Sequence, residues 1–249
     1  MRIILGGIFG KMGKCMLECC HSNPEYQIVG GFDLIKQDSH CPVFDSPTLC
    51  KIKADVIIDF STPQTTGKIL DYCYASKTPI LIATTGHSEN ELKNISALSA
   101  HTAVLLTGNT SFGAGVMRRC CTDIAQALKV EKPIHQIEIT ETHHCLKKDV
   151  PSGTALDIAN SINMVYNEKK SVSVGRKQSF SNPSENEIVI HSIRGGSVVG
   201  KHRADFFFEN ERISIIHEAY DKKVFAWGAL LLAEKLIKHK NGLYTADTV

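Results

Sequence analysis

At 249 residues with a formal net charge of +2, the chain is long enough for one large or two modest domains and nearly electroneutral. Hydrophobic residues at 43% and charged residues at 22% exclude a disordered polymer. No run of Lys or Arg forms the basic stripe that nucleic acid would need.

In chain order, Met1-Arg2-Ile3-Ile4-Leu5 is apolar but breaks at Gly6-Gly7. That run is too short for an export signal or a membrane span. A cytoplasmic protein is therefore expected, its nine cysteines free thiols in a reducing compartment and none arranged as C-x-x-C. Ile3–Leu5 predicts a strand, Lys11–Cys20 a helix, Gln27–Phe32 and Ala54–Phe60 two further strands. Ser61-Thr62-Pro63 reads as a helix start, a capping hydroxyl followed by an early proline. Pro79–Ala83 is a fourth strand, Glu89–Leu98 a helix and Ala103–Thr107 a fifth strand. These strands are continuous apolar runs, as in a parallel sheet covered on both faces. The alternation predicts a doubly wound, Rossmann-type α/β domain over 1–111.

Past Ser111 the pattern changes. A helix over Gly113–Leu128 leads into an alternating strand, Ile134–Thr142, and a helix over Thr154–Val165. Ser171–Asn186, polar with Gly, Ser and Pro, reads as a flexible loop. Strands follow at Glu187–Arg194, Arg203–Glu209 and Arg212–Glu218, with a hairpin turn at Asn210-Glu211. This predicts an α+β domain with a mixed or antiparallel sheet over 112–220. A C-terminal helical segment within 221–249, centred on Val224–Ile237, is expected to return to the first domain.

Directly after the first strand, Gly7, Gly10 and Gly13 bracket a turn that opens a helix. Such a turn brings backbone N–H groups to a pyrophosphate. Phe9 stands where the common G-x-G-x-x-G pattern has its middle glycine, so the loop alone is a weak signal. Asp33, about 20 residues past the loop, is placed to bind adenosine ribose hydroxyls. Thr84-Thr85-Gly86 falls at the same carboxyl edge. Asp33 disfavours a 2′-phosphate, whereas Lys11 and Lys36 supply positive charge, so use of NADH and NADPH with a lean to NADH is expected.

The most informative stretch runs from Glu141 to Ala155. Two histidines and two lysines follow a strand, and Pro-Ser-Gly-Thr then opens a helix whose N-terminus suits an anion. Histidine adds a proton donor near neutral pH. Ser152 reads equally well as a plain helix cap. A metal at His143-His144 is not expected, because adjacent extended residues point apart and no further ligands follow at metal spacing.

On these residues the chain resembles the 4-hydroxy-tetrahydrodipicolinate (dihydrodipicolinate) reductase family of diaminopimelate and lysine biosynthesis. Gly7 to Gly13 matches its G-x-x-G-x-M-G loop, and Glu141 to Ala155 matches E-x-H-H-x-x-K-x-D-x-P-S-G-T-A at every fixed position. Asp59-Phe60-Ser61, Thr84-Thr85-Gly86 and Ile193 to Gly200 agree as well. The resemblance implies His143 as general acid and Lys147 as catalytic lysine, with His144, Gly153, Thr154 and Thr85 binding the substrate dicarboxylate. It implies cofactor contacts at Gly7, Lys11, Met12, Asp33, Ala83, Thr84, Thr85, Asn109 and Phe112. Asn109 to Phe112 matches the hinge, where Thr110 replaces the family's aromatic, and a second hinge is expected near Tyr220. A homotetramer built through the second domain's sheet is also implied. Two other readings stay open, a different two-domain dehydrogenase or a nucleotide-sensing module without catalysis.

Overall fold

The computed structural model describes residues 1–35, 37–46, 49–131, 136–176, 184 and 186–249, with backbone alone at 130 and 131. The chain divides into two compact units, Met1–Ser111 with Lys222–Val249, and Phe112–Asp221. Lys36 lies outside the described residues.

The first unit begins with β1 (Arg2–Gly6), α1 (Lys11–His21), β2 (Gln27–Phe32) and the two-residue β3 (Val43–Phe44). Next come β4 (Val56–Asp59), α2 (Pro63–Ser76), β5 (Ile80–Ile82), α3 (Glu89–Leu98) and β6 (Ala103–Leu106). The seven-stranded sheet includes a late strand, β12 (Gly242–Tyr244), and runs β12-β6-β5-β4-β1-β2-β3. Every pairing is parallel. Ile3, Ile4, Leu5, Val56, Ile57, Ile58, Ile80, Leu81 and Ile82 are all fully buried, because helices cover both faces. On one face Met16, Cys19 and Cys20 of α1 pack with Ala226, Ala229, Leu230 and Ala233 of α6 (Lys223–Leu236). On the other, Ile69, Leu70 and Cys73 of α2 join Ile95 and Leu98 of α3. The sheet order reverses between β1 and β4, which opens a crevice at their carboxyl ends.

Local chemistry sets the helix ends. Thr62 caps α2 by accepting the Thr65 N–H, with Pro63 in the first turn. Ser88 and Glu91 form a reciprocal capping box on α3. The C-terminal segment departs from the sequence expectation: α6 stops at Leu236, and Gly242–Tyr244 then adds an edge strand beside β6.

The second unit contains α4 (Phe112–Glu131), β7 (Gln136–His143), α5 (Gly153–Asn163), β8 (Ser171–Val174), β9 (Glu187–Arg194), β10 (Gly200–Phe207) and β11 (Arg212–Ala219). Its sheet runs β11-β10-β7-β9-β8. β10 is antiparallel to β7 and β11, whereas β9 is parallel to β7 and β8, so the sheet is mixed. Strict alternation along β7 turns Ile137, Ile139, Glu141 and His143 to the buried face. There Ile137 and Ile139 meet Met117, Cys121 and Ala125 of α4 and Ile158 and Ile162 of α5.

The loop expected over Ser171–Asn186 is corrected in part, because Ser171–Val174 forms β8 against β9. An edge strand needs only one backbone partner and exposes most of its side chains, so it carries little apolar signal. Residues 177–183 and 185 of that expected loop lie outside the described residues. At the hairpin, Phe208 N–H donates to the Glu211 carbonyl at 2.9 Å. All nine cysteines are free, and among the described residues no helix is long and apolar enough to cross a membrane.

Candidate active site

In the first unit the candidate residues gather at the carboxyl edge of the sheet. Gly7 takes φ +74, and a Cβ there would lie 2.8 Å from the Phe60 carbonyl oxygen. A Cβ on Gly13 would fall 2.3 Å from the carbonyl oxygens of Gly7 and Ile8. Glycine is therefore required at both positions, and the loop folds tightly against the first turn of α1. No side chain caps that helix, whose N-cap is Gly10. Its first turn leaves backbone N–H groups without a side-chain cap, the kind of donor set that suits a phosphate, with Lys11 exposed on it and Met12 half-buried.

Asp33 follows β2 directly. Its Oδ2 accepts the Phe9 N–H at 3.0 Å and its Oδ1 accepts the Ile35 N–H at 3.0 Å. The carboxylate thus ties the glycine loop to the end of β2 and keeps lone pairs for a further donor. Beside it lies a cavity of about 450 Å³ lined by Asp33, Asp38 and Asp45, with no Lys or Arg among its described lining residues. Ala83 and Thr84 follow β5; the Ala83 N–H donates to the Asp59 carbonyl at 2.9 Å and Thr84 is buried. Thr85 is exposed. Asn109 closes a turn after β6, its Oδ1 accepting the Ser111 N–H at 2.8 Å. Thr110, in the segment expected to act as a hinge, donates its hydroxyl to the Phe225 carbonyl at 2.6 Å. Phe112 belongs to the second unit, where it heads α4 and is 69% exposed.

In the second unit β7 delivers His143 at its carboxyl end, only 8% exposed. His143 Nδ1 lies 2.5 Å from Glu141 Oε2, two residues back on the same buried face. Arg194, at the end of β9, donates through both terminal nitrogens to Glu141, at 2.9 and 2.8 Å. Burial works to raise the Glu141 carboxyl, but hydrogen bonds led by Arg194 outweigh it and hold the group down at about 2. Glu141 is therefore ionised and can only accept, so His143 Nδ1 carries a hydrogen and Nε2 is its reactive nitrogen. Gly200 faces that nitrogen; a Cβ there would stand 3.2 Å from Nε2. Burial pushes His143 below its ordinary value, and Glu141 partly restores it.

The following loop places Lys147 Nζ 2.8 Å from Asp149 Oδ2. His144 is half-buried, with an Nδ1 that finds no hydrogen-bond partner among the described residues. Ser152 caps α5, accepting the Ala155 N–H at 3.3 Å. Gly153 and Thr154 begin the helix, and the space a Cβ of Gly153 would enter is open. His143, Lys147 and the anion-seating start of α5 thus belong to one unit, a set able to hold a carboxylate and deliver a proton.

Sequence reasoning assigned no role to Glu141, Arg194 or His202. His202 is buried on β10, its ring 5.1 Å from that of His143 and its Nε2 3.2 Å from the Ser152 hydroxyl. The period-two pattern of β7 was a usable signal for Glu141, since it shares the parity of Ile137, Ile139 and His143. No local signal marks Arg194 or His202, which reach the site from other strands.

Comparison with known proteins agrees across the whole chain. A family model described as "Dihydrodipicolinate reductase, N-terminus" matches residues 1–110, and one described as "Dihydrodipicolinate reductase, C-terminus" matches 113–249. A 4-hydroxy-tetrahydrodipicolinate reductase of Caldanaerobacter subterraneus is 40% identical over 247 residues, covering 99% of this chain and 97% of the relative. The protein of the same name from Clostridium novyi is 37% identical over 249 residues, covering 100% and 97%. Among solved structures, a dipicolinate-bound dihydrodipicolinate reductase from Paenisporosarcina sp. TG-14 superposes with a TM-score of 0.79 at 22% identity, covering 100% and 99% of the two chains.

Proposed function

The chain belongs to the dihydrodipicolinate reductase family, and from that membership we propose that it reduces 4-hydroxy-tetrahydrodipicolinate, or the dihydrodipicolinate formed by its dehydration, to tetrahydrodipicolinate. It does so with a nicotinamide dinucleotide, in diaminopimelate and lysine biosynthesis. The observation that carries the residue assignment is the buried His143, whose Nδ1 bond to an ionised Glu141 leaves Nε2 for chemistry, in the unit that also holds Lys147 and the start of α5.

Gly7, the α1 N-terminus with Lys11 and Met12, and Asp33 hold the dinucleotide, with Ala83, Thr84, Thr85, Asn109 and Phe112 as further contacts. The cradle that a Cβ on Gly7 would fill supports this reading. When bound, the reduced nicotinamide supplies a hydride to carbon 4 of a cyclic, unsaturated imine. His143, as imidazolium, gives a proton from Nε2 to the neighbouring carbon, so that one hydride and one proton add across the double bond. Lys147 contributes positive charge and orientation. His144, Gly153 and Thr154 receive a carboxylate, and Thr85 is assigned to the substrate as well. The aspartates around the cavity beside Asp33 favour NADH over NADPH. A homotetramer formed through the second unit's sheet is supported by Ile213 and Ile216, exposed on the edge strand β11, and sedimentation analysis tests it. Free thiols at all nine cysteines support a cytoplasmic location.

The test couples purified protein to the fresh product of pyruvate and aspartate semialdehyde made by the preceding synthase. NADH and NADPH oxidation are followed separately, with His143→Ala and Lys147→Ala beside the parent. Rapid oxidation by the parent that is largely lost in both variants supports the assignment. Binding of the nicotinamide without oxidation overturns it in favour of a sensing role.

A further inference from the structure

The groups that hold His143 are distinct from those assigned to touch substrate. Glu141 is fully buried and shares the inner face of β7 with His143. Arg194 pairs with His143 in the register of β7 and β9 and lays its guanidinium on the Glu141 carboxylate. One of the same nitrogens donates to the Asp149 carbonyl at 2.6 Å. The Ser152 N–H donates to Glu141 Oε1 at 3.2 Å. A single ion pair between the buried Glu141 and the partly buried Arg194 therefore grips the imidazole, the substrate loop at Asp149 and the cap of α5.

We infer that Glu141 and Arg194 act as one positioning unit for the reduction, setting the tautomer and aim of His143 and locking the carboxylate-binding start of α5 to it. The inference rests on the assignment of His143 and α5 made above. An ionised carboxylate only accepts, so it commits Nδ1 to donating and Nε2 to the reacting side. The two-pronged guanidinium in turn fixes the carboxylate in its plane, which a single ammonium does not do. Since the clamp also ends on Asp149 and Ser152, the proton donor and the anion seat share one frame rather than moving separately.

Among the described residues, four charged or titratable groups face His143: Glu141 on its own strand, Arg194 on β9, His202 on β10 and Lys147 in the loop after β7. Glu141 favours the imidazolium, whereas Arg194 and Lys147 oppose it. Loss of Glu141 and loss of Arg194 therefore move the titration of His143 in opposite directions, which a general loss of structure would not do.

The test measures kcat and KM against pH for the parent, Glu141→Gln, Arg194→Gln and Arg194→Lys. Nitrogen-15 spectra of the histidine rings and NADH dissociation constants are recorded alongside. In Glu141→Gln, kcat is expected to fall at least about tenfold, a part of the ~10²–10⁴ that a positioned acid contributes. Its alkaline limb moves to lower pH, and the ring spectrum of His143 becomes a tautomer mixture. In Arg194→Gln, kcat falls as well but the limb moves to higher pH. Arg194→Lys recovers part of kcat and brings the limb back toward the parent. KM for the dicarboxylate rises in both neutral variants, while NADH, held by the first unit, binds within about twofold of the parent. Variants that keep the parent's kcat and limb, or limbs that move the same way, overturn the inference. An inactive parent instead overturns the assignment on which it rests. Should Glu141→Gln fail to fold, the two Arg194 variants decide the matter.

Discussion

The Ser152 hydroxyl lies 3.2 Å from Nε2 of His202, joining the cap of α5 to the second residue along from Gly200 on β10. Burial, with the charge of His143 adding to it, pushes His202 down to about 3. The Ser152 hydroxyl thus meets a neutral imidazole on one side, and on the other its oxygen accepts the Ala155 N–H.

That depression has a consequence for acid stability. The unfolded chain protonates this histidine near pH ~6.5, but the folded chain resists until about 3. Between those values the unfolded state binds more protons, so stability falls as pH drops, by at most ~1.4 kcal/mol per pH unit for one linked proton. His143 and His217 are lowered too and act in the same sense. Urea unfolding between pH 4 and 7 should show a declining midpoint, with a shallower slope in His202→Gln. An unchanged slope in that variant contradicts the account.

Ligand binding should charge His143. Burial lowers this group despite Glu141, and a dicarboxylate beside it adds the negative charge that favours imidazolium. Binding of dipicolinate near neutral pH is therefore expected to take up protons, at most one per chain. Titration calorimetry in two buffers of different ionisation heat gives that number directly. No uptake by the parent, or equal uptake by His143→Ala, would count against it.

Cofactor choice should respond to Asp33. Asp33→Asn keeps an acceptor for the Phe9 N–H but removes a charge that repels a 2′-phosphate. The ratio of kcat/KM for NADPH to that for NADH is expected to rise about tenfold, equivalent to ~1.4 kcal/mol. Steady-state kinetics with each nucleotide measure it, and a falling ratio would refute the role given to this carboxylate.

Gly7 should tolerate no side chain. Its φ of +74 disfavours an L-residue by ~1–2 kcal/mol, and the Cβ would press on the Phe60 carbonyl at 2.8 Å. Gly7→Ala is expected to lower Tm by about 2–8 °C and to weaken NADH binding at least about tenfold. Differential scanning calorimetry and fluorescence titration check the two effects separately. A variant with parental binding would show that the loop does not seat the nucleotide.

Much of the fold was open to reading because its signals are local. The buried strands β1, β4 and β5 are runs such as Val56-Ile57-Ile58, α2 announces itself with Thr62 and Pro63, and the alternation of β7 separates Ile137 and Ile139 from Glu138 and Thr140. The edge strands β3, β8 and β12 escaped, since a strand bonded on one side needs neither apolar length nor alternation. The dense segment from Glu141 to Ala155 likewise singled out His143, Lys147 and the start of α5 as candidates from local order alone.

What the linear order determined by itself was therefore the longer, buried elements, the glycine loop, and the one segment where His143, Lys147 and the start of α5 follow one another. Only the tertiary structure decided what surrounds them. Arg194 is 53 residues from Glu141 and His202 is 50 from Ser152; each arrives because β9 and β10 flank β7 in a particular register. Register is a non-local property, set by how whole strands bury their apolar faces together, and a slip of one residue would turn Arg194 and His202 to the opposite side of the sheet.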